Sequence, residues 1–354
     1  MKRKSLSVEK KAKVNNPSVN NSKTKKLYTK FRKKILKKVG KDNFAIGVSG
    51  GADSLCLAYL SNLYSTEFKN KIFVLIVDHK MRQESSKEAQ KVKMMLKKKG
   101  INSVVLTWKG KKPSQNIQLQ ARKIRYELIS NYCLKHNVNY LITAHHQDDQ
   151  IENFFIRLFR GSGLTGLSSM AESSNYSDNL KIIRPFLNFT KLELQAVTMD
   201  YFKSYINDPS NENEKFLRTR IRKYRKDLFQ EGLDTKKISK TVDNLMIAKN
   251  ALDFYKNKAL NNNVSFLSKN NCIINSKIFD EEANQIIFKL ISDVLSLVAG
   301  SYYPPRSKKI LNLINRLKLK KFKKCTLGGC VLEKKDGFIS ITKEVRVKQL
   351  YQNR

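Results

Sequence analysis

Residues 49–54 read Ser-Gly-Gly-Ala-Asp-Ser and carry the most specific chemistry in the chain. Glycines at 50 and 51 let a backbone approach a ligand closely and turn its amide hydrogens inward. Ser49 and Ser54 add hydroxyl donors. Ala52 and Asp53 open the apolar run that follows, so a helix starting there would turn its positive end toward the same point. Such a set suits the phosphates of ATP. The Asp53 carboxylate would repel them unless a cation intervenes, and Asp53 is therefore expected to hold Mg2+. The loop lacks the Gly-Lys-Ser/Thr ending of a Walker loop. Its bland alternative is a tight strand-to-helix turn with no ligand.

Five other groups could act on a bound nucleotide or nucleic acid. Asp148, Asp149 and Glu152 stand three and four apart, which puts them on one side of a helix. They could hold magnesium, or bind an ammonium group and help to deprotonate it; helix capping by the two aspartates is the plainer reading. His145 could polarise or protonate a leaving oxygen, with His146 a packing residue. A zinc cluster of these histidines and aspartates is the rival, although no cysteine accompanies it. Asp78 follows an apolar run and could accept from a ribose hydroxyl or an adenine amine, or simply end a strand in a turn. Arg122 and Arg125 could offset phosphate charge, and one of the two is expected to reach the site. Arg218, Arg222 and Arg225 fall at i, i+4 and i+7, a stripe that would track a phosphate backbone or line a solvated face.

Positioning these groups requires a particular scaffold. Short apolar runs at 44–48, 72–77, 104–106 and 140–143 alternate with helical patterns at about 52–60, 84–99, 114–136 and 147–160. That alternation predicts a doubly wound parallel α/β sheet. Ser49, Asp78 and His145 all follow strands, at the carboxyl edge where such sheets bind ligands. The lysine-rich stretch 1–27 is expected to be a disordered basic tail, with the nucleotide-binding domain over 28–215. A helical segment that begins with the arginine stripe is expected over 216–300. Residues 301–354 are expected to form a small α+β unit with a hairpin near Gly328-Gly329 and Asp336-Gly337.

The composition narrows the partner. A formal net charge of +40 on 354 residues seeks a polyanion, though charge alone cannot select one. No apolar run reaches the ~18 residues of a membrane span, and no signal peptide is visible. The five cysteines show no metal-like spacing, which suits a reduced cytoplasm.

The loop resembles that of the PP-loop ATP pyrophosphatases, which split ATP between its α and β phosphates and transfer AMP. Further segments are similar to the tRNA(Ile)-lysidine synthetase family: Val77-Asp78-His79-Lys80-Met81-Arg82, Asn116-Ile117 with Ala121 to Tyr126, Thr143 to Glu152 followed by Arg157 to Gly163, and Asn207-Asp208-Pro209-Ser210-Asn211 with Arg218 to Arg222. The resemblance implies ATP and Mg2+ as cofactors, and free L-lysine and an isoleucine tRNA with a CAU anticodon as substrates. ATP would adenylate the wobble cytidine, and the lysine ε-amine would then displace AMP. It also implies a homodimer. Many members carry a further C-terminal domain, for which little room is expected here. Two alternatives stand beside it: a PP-loop tRNA thiolase, which would need a cysteine near the site, and a noncatalytic basic RNA-binding protein.

Overall fold

The structure is a computed structural model that describes residues 22–81, 84–110, 117–207, 217–301, 304–319 and 321–344. It divides into two compact units, one ending at Asp243 and the other starting at Asn244.

In the first unit the elements run α1 (Ser22–Lys38), β1 (Phe44–Gly47), α2 (Ala52–Phe68), β2 (Ile72–Asp78), α3 (Ser85–Lys97), β3 (Ser103–Thr107), α4 (Ile117–Lys135) and β4 (Tyr140–Ile142). They continue as α5 (Gln147–Leu158), α6 (Leu164–Leu167), β5 (Ser173–Ser177), β6 (Leu180–Ile183), α7 (Lys191–Phe202) and α8 (Leu217–Gln230). The sheet order is β3-β2-β1-β4-β6-β5. All neighbours pair in parallel except β5, which runs antiparallel to β6.

Successive strand residues feed two different cores, as a period of two requires when both faces are covered. Phe44, Ile46, Val74, Ile76 and Ile142 join the core that holds α2, α3 and α7. Ala45, Leu75 and Leu141 join the opposite core, built on Tyr126, Ile129 and Cys133 of α4. Helix α2 is buried on nearly every side, from Leu55 to Leu60, so its apolar residues form a block rather than a stripe. The strands on either side of β1 were added in opposite directions along the sheet. The crevice between the ends of β1 and β4 is therefore the topological switch point.

Two expectations change here. Helix α1 begins at Ser22, inside the stretch expected to be a basic tail, because Leu27, Phe31 and Ile35 recur at helical spacing and pack into the first core. Residues 1–21 lie outside the described residues. The division expected after 215 falls inside the first unit, where Ile221 of α8 packs with Ile151 and Phe155 of α5.

Helix α9 (Thr235–Asn263) supplies Ile238 and Val242 to the first unit and Ala259 to the second. The second unit then runs β7 (Val264–Ser268), β8 (Asn271–Asn275), α10 (Ile278–Glu281), α11 (Asn284–Ala299), α12 (Ser307–Lys318), β9 (Lys324–Leu327), β10 (Cys330–Lys335) and β11 (Phe338–Lys343). Its antiparallel sheet, β7-β8-β11-β10-β9, packs on α11 and α12. The stretch expected to be helical to residue 300 thus contains two strands. The expected hairpin joins β10 to β11, with Asp336 and Gly337 both left-handed (φ 49° and 78°), as a two-residue turn of this hand demands.

Candidate active site

Strand β1 delivers the chain to the phosphate loop, and α2 begins at Ala52 directly after it. The loop is closed from within: Ser54 Oγ accepts the Ser49 N–H (3.1 Å) and donates to the Gly51 carbonyl (2.9 Å). It is also clamped from outside. The Ile206 N–H donates to the Gly50 carbonyl at 2.9 Å, and the Thr198 hydroxyl donates to the Ala52 carbonyl at 2.6 Å. Gly50 has φ 88°, and a Cβ there would meet Val92 Cγ2 at 2.5 Å. Any side chain there would be strained and would push Val92 aside. The motif starting at Asn207 directly follows Ile206, whose N–H clamps the loop; its residues Asp208 to Asn211 lie outside the described residues.

The loop opens into a cleft of about 360 Å3 at the switch point. Ser49, Gly51, Asp53 and Ser54 line it, as do Arg122, Arg125, His145, Asp149 and Arg218. Ala52 and Gly50 shape the loop without lining the cleft. Both arginines of α4 reach it, where one was expected; the Arg122 guanidinium also lies 5.1 Å from the centre of the Tyr126 ring.

Asp78 is already engaged within the fold, close to the strand-end turn offered as its alternative reading. Its carboxylate accepts from the Ser85 hydroxyl (2.7 Å), the Ser86 hydroxyl (2.6 Å) and the Lys80 N–H (3.1 Å). Burial opposes its ionisation, but these donors outweigh burial and hold its pKa below the usual value. Asp78 anchors the start of α3 and does not line the cleft; both its oxygens are engaged without a nucleotide.

The acidic helix α5 sorts its carboxylates by direction. Asp149 lines the cleft, and its Oδ2 accepts the His146 N–H at 3.1 Å. Asp148 turns away, to Arg225 (2.5 Å) and the Lys191 N–H (3.3 Å). Glu152, only 2% exposed, binds Arg222 through two contacts (2.6 and 3.3 Å) and meets Arg218 at 3.6 Å. The groups expected to take up lysine or magnesium and the groups expected to track tRNA are thus largely each other's partners. Burying Glu152 explains this: an isolated buried carboxylate is costly, so α8 must bring cations to it. Of the stripe, Arg218 alone also lines the cleft.

His145 lies in the cleft as expected, and His146 does more than pack. His145 lines the cleft, and its Nδ1 lies 2.9 Å from the Thr143 hydroxyl. Burial, reinforced by Arg122, Arg184 and Arg218 against the pull of Asp149, holds its pKa well below the ordinary value. A neutral imidazole can hydrogen-bond a leaving oxygen but is a poor proton donor. His146 is buried, and its ring meets Asp53 (3.5 Å), Asp149 (3.6 Å) and Asp148 (3.7 Å). Burial lowers its pKa, and these carboxylates more than restore it, so the net shift is upward.

Among the described residues no group of three His, Cys, Asp or Glu side chains is arranged to enclose a metal. A phosphate-bound cation needs less, since the ligand supplies oxygens. Asp53 Oδ1 is buried without a hydrogen-bond partner beside the loop, and this orphaned oxygen fits such a cation.

Residues missed in the sequence are Glu88 and Tyr126 in the cleft lining, and Arg184, which donates to the Ala171 carbonyl and the Ser174 hydroxyl (both 2.9 Å). Arg184 follows a short apolar run, as Ser49 and Asp78 do, so the strand-end rule could have found it.

Residues 21–228 match the family model described as a PP-loop domain, which makes this a PP-loop protein. The chain is 36% identical over 309 residues to a tRNA(Ile)-lysidine synthase from Orientia tsutsugamushi (strain Boryong), covering 85% of this chain and 69% of that protein. It is 35% identical over 315 residues to one from Wolbachia pipientis wMel, covering 87% and 72%. A U34-tRNA thiolase from Methanococcus maripaludis, solved with its [4Fe-4S] cluster, shares the fold, with a TM-score of 0.54, 19% identity, and coverage of 63% of this chain and 79% of that one. The chain belongs to the tRNA(Ile)-lysidine synthases, a family of ATP-using ligases.

Proposed function

We propose that this protein adenylates the wobble cytidine of the CAU-anticodon isoleucine tRNA and then joins free L-lysine to it, releasing pyrophosphate and AMP. The observation that carries this reading is the meeting of the phosphate loop, Asp149 and His145 in one cleft at the switch point. The loop amides and the start of α2 bind the phosphates. Mg2+, when bound, would neutralise phosphate charge, and Asp53 would hold it. Arg122 and Arg125 offset the charge that builds as AMP transfers. His145 donates a hydrogen bond to the departing AMP oxygen. Asp149 holds the lysine ammonium and accepts its proton as the amine attacks. Asp148 and Glu152 support Asp149 by keeping α5 and α8 together. The cytidine must be turned out of its loop to reach the cleft, and Arg218, which lines it, would meet its phosphate.

None of the five cysteines lines the cleft, which weighs against thiol chemistry there. All five are free thiols, in keeping with the cytoplasm. Sedimentation would test the homodimer implied by the family resemblance.

The test of function is incubation with ATP, Mg2+, labelled lysine and the CAU-anticodon tRNA. Label in the tRNA, lost when the wobble C is replaced, is the expected result. Pyrophosphate release without label would keep the PP-loop chemistry and refute lysine as the nucleophile.

A further inference from the structure

His146 is 5% exposed, and its ring stands among three carboxylates from two elements. Its Nε2 faces both Asp53 Oδ2 on α2 (3.5 Å) and Asp149 Oδ2 on α5 (3.6 Å). Its Nδ1 faces Asp148 Oδ2 at 3.7 Å. His146 is the N-cap of α5 and forms a capping box with Asp149, which accounts for the bond from its backbone N–H to Asp149 but not for the turn of its Nε2 toward Asp53 on another element. Packing does not explain it either. An apolar ring of the same size would leave the Asp53 and Asp149 carboxylates facing one another with no polar group between them.

We propose that His146 is a positioning residue for the reaction: its ring ties Asp53 of the phosphate loop to Asp149 of α5 and sets the separation between them. The proposal rests on the functional reading above. The separation matters because Asp53 belongs with ATP, whereas Asp149 belongs with the attacking amine. The ring also chooses between the two Asp53 oxygens. Oδ2 is turned to His146, and Oδ1 is left without a partner beside the phosphate loop. Contacts of 3.5–3.7 Å are longer than good hydrogen bonds, and such contacts in ligand-free sites commonly tighten when substrate docks.

Two variants separate positioning from packing. His146→Phe keeps the ring volume and removes both nitrogens; His146→Gln returns one N–H donor. Turnover is read as tRNA-dependent pyrophosphate release, which does not depend on the nucleophile's identity. For His146→Phe the expectation is a kcat lower by about a hundredfold, with KM for ATP within about threefold. His146→Gln is expected to recover about tenfold of that loss. If His146→Phe does not fold, His146→Gln alone decides: a folded protein about tenfold slower at unchanged ATP KM supports the proposal. A wild-type kcat in either folded variant overturns it. A second readout needs no turnover. The chain has four histidines, so the ring nitrogen signals of His146 can be assigned by nitrogen-15 NMR against His146→Gln. Asp53→Asn and Asp149→Asn should each shift those signals, and signals indifferent to both substitutions would refute the contact. If the wild type released pyrophosphate but attached no lysine, the functional reading would fail and the positioning role would still be decided.

Discussion

Asp53 has to serve two neighbours at once. One oxygen is turned to His146 and the other is buried without a partner beside the phosphate loop. Replacing it by alanine should abolish AMP formation while leaving tRNA affinity close to normal, as measured by pyrophosphate release and filter binding. Asp78 gives the opposite expectation. Its oxygens already take three donors, so Asp78→Ala should cost about 1–3 kcal/mol of stability in a denaturant titration, with little change in ATP affinity at temperatures where the variant stays folded. The sign of its pH dependence follows. Its folded pKa is depressed, so its contribution is full above the unfolded carboxylate range and is lost as pH falls through the folded value. For His146 the folded pKa is raised, so its contribution is full below the ordinary histidine value and fades as pH rises past the folded one. The melting difference between wild type and His146→Phe should therefore shrink toward alkaline pH. At this scale the phosphate loop was legible, because glycine and serine spacing encodes it directly. The roles of Asp78 and His146 were not legible, because a lone residue type at a strand end does not say which way its side chain turns.

At the scale of elements, α5 and α8 act as a pair. The i, i+4, i+7 arginine stripe was visible in the sequence, and so was the acidic face of α5. That the two would meet was hidden by the 66 residues of numbering between Glu152 and Arg218. The consequence is a split within the stripe. Arg222→Ala should lower stability by about 1–3 kcal/mol, since it strips a partner from a carboxylate that is 2% exposed while Arg222 itself is over a third exposed and partly screened. Arg218→Ala should instead weaken tRNA binding and reduce its salt slope by about one, with stability nearly unchanged. Equal effects from both substitutions would show the stripe working as one surface. The strands of the first unit were legible because buried parallel strands are continuous apolar runs. Strands β7 and β8 were not, since Val264–Ser268 is largely exposed and carries no apolar alternation strong enough to separate it from the helix before it.

For the whole molecule, the net charge of +40 predicts that tRNA affinity falls steeply with added salt, whatever the anticodon. Discrimination against other tRNAs should be far less sensitive to salt, because it depends on bases rather than phosphates. Competition binding at two ionic strengths would separate these terms. The charge was plain from composition. The division at Asp243 was not, because α9 crosses it without a break in helical pattern, and a linker signal is what sequence reading relies on.

The hydrogen bond from the Ile206 N–H to the Gly50 carbonyl has a bearing on time as well as geometry. An amide proton held in that bond exchanges with solvent only when the phosphate loop and the segment after α7 part. Its exchange rate is thus a clock for opening of the nucleotide site, ticking on one identifiable atom outside the cleft. A ligand that fills the cleft and holds the loop shut would slow that clock without touching Ile206.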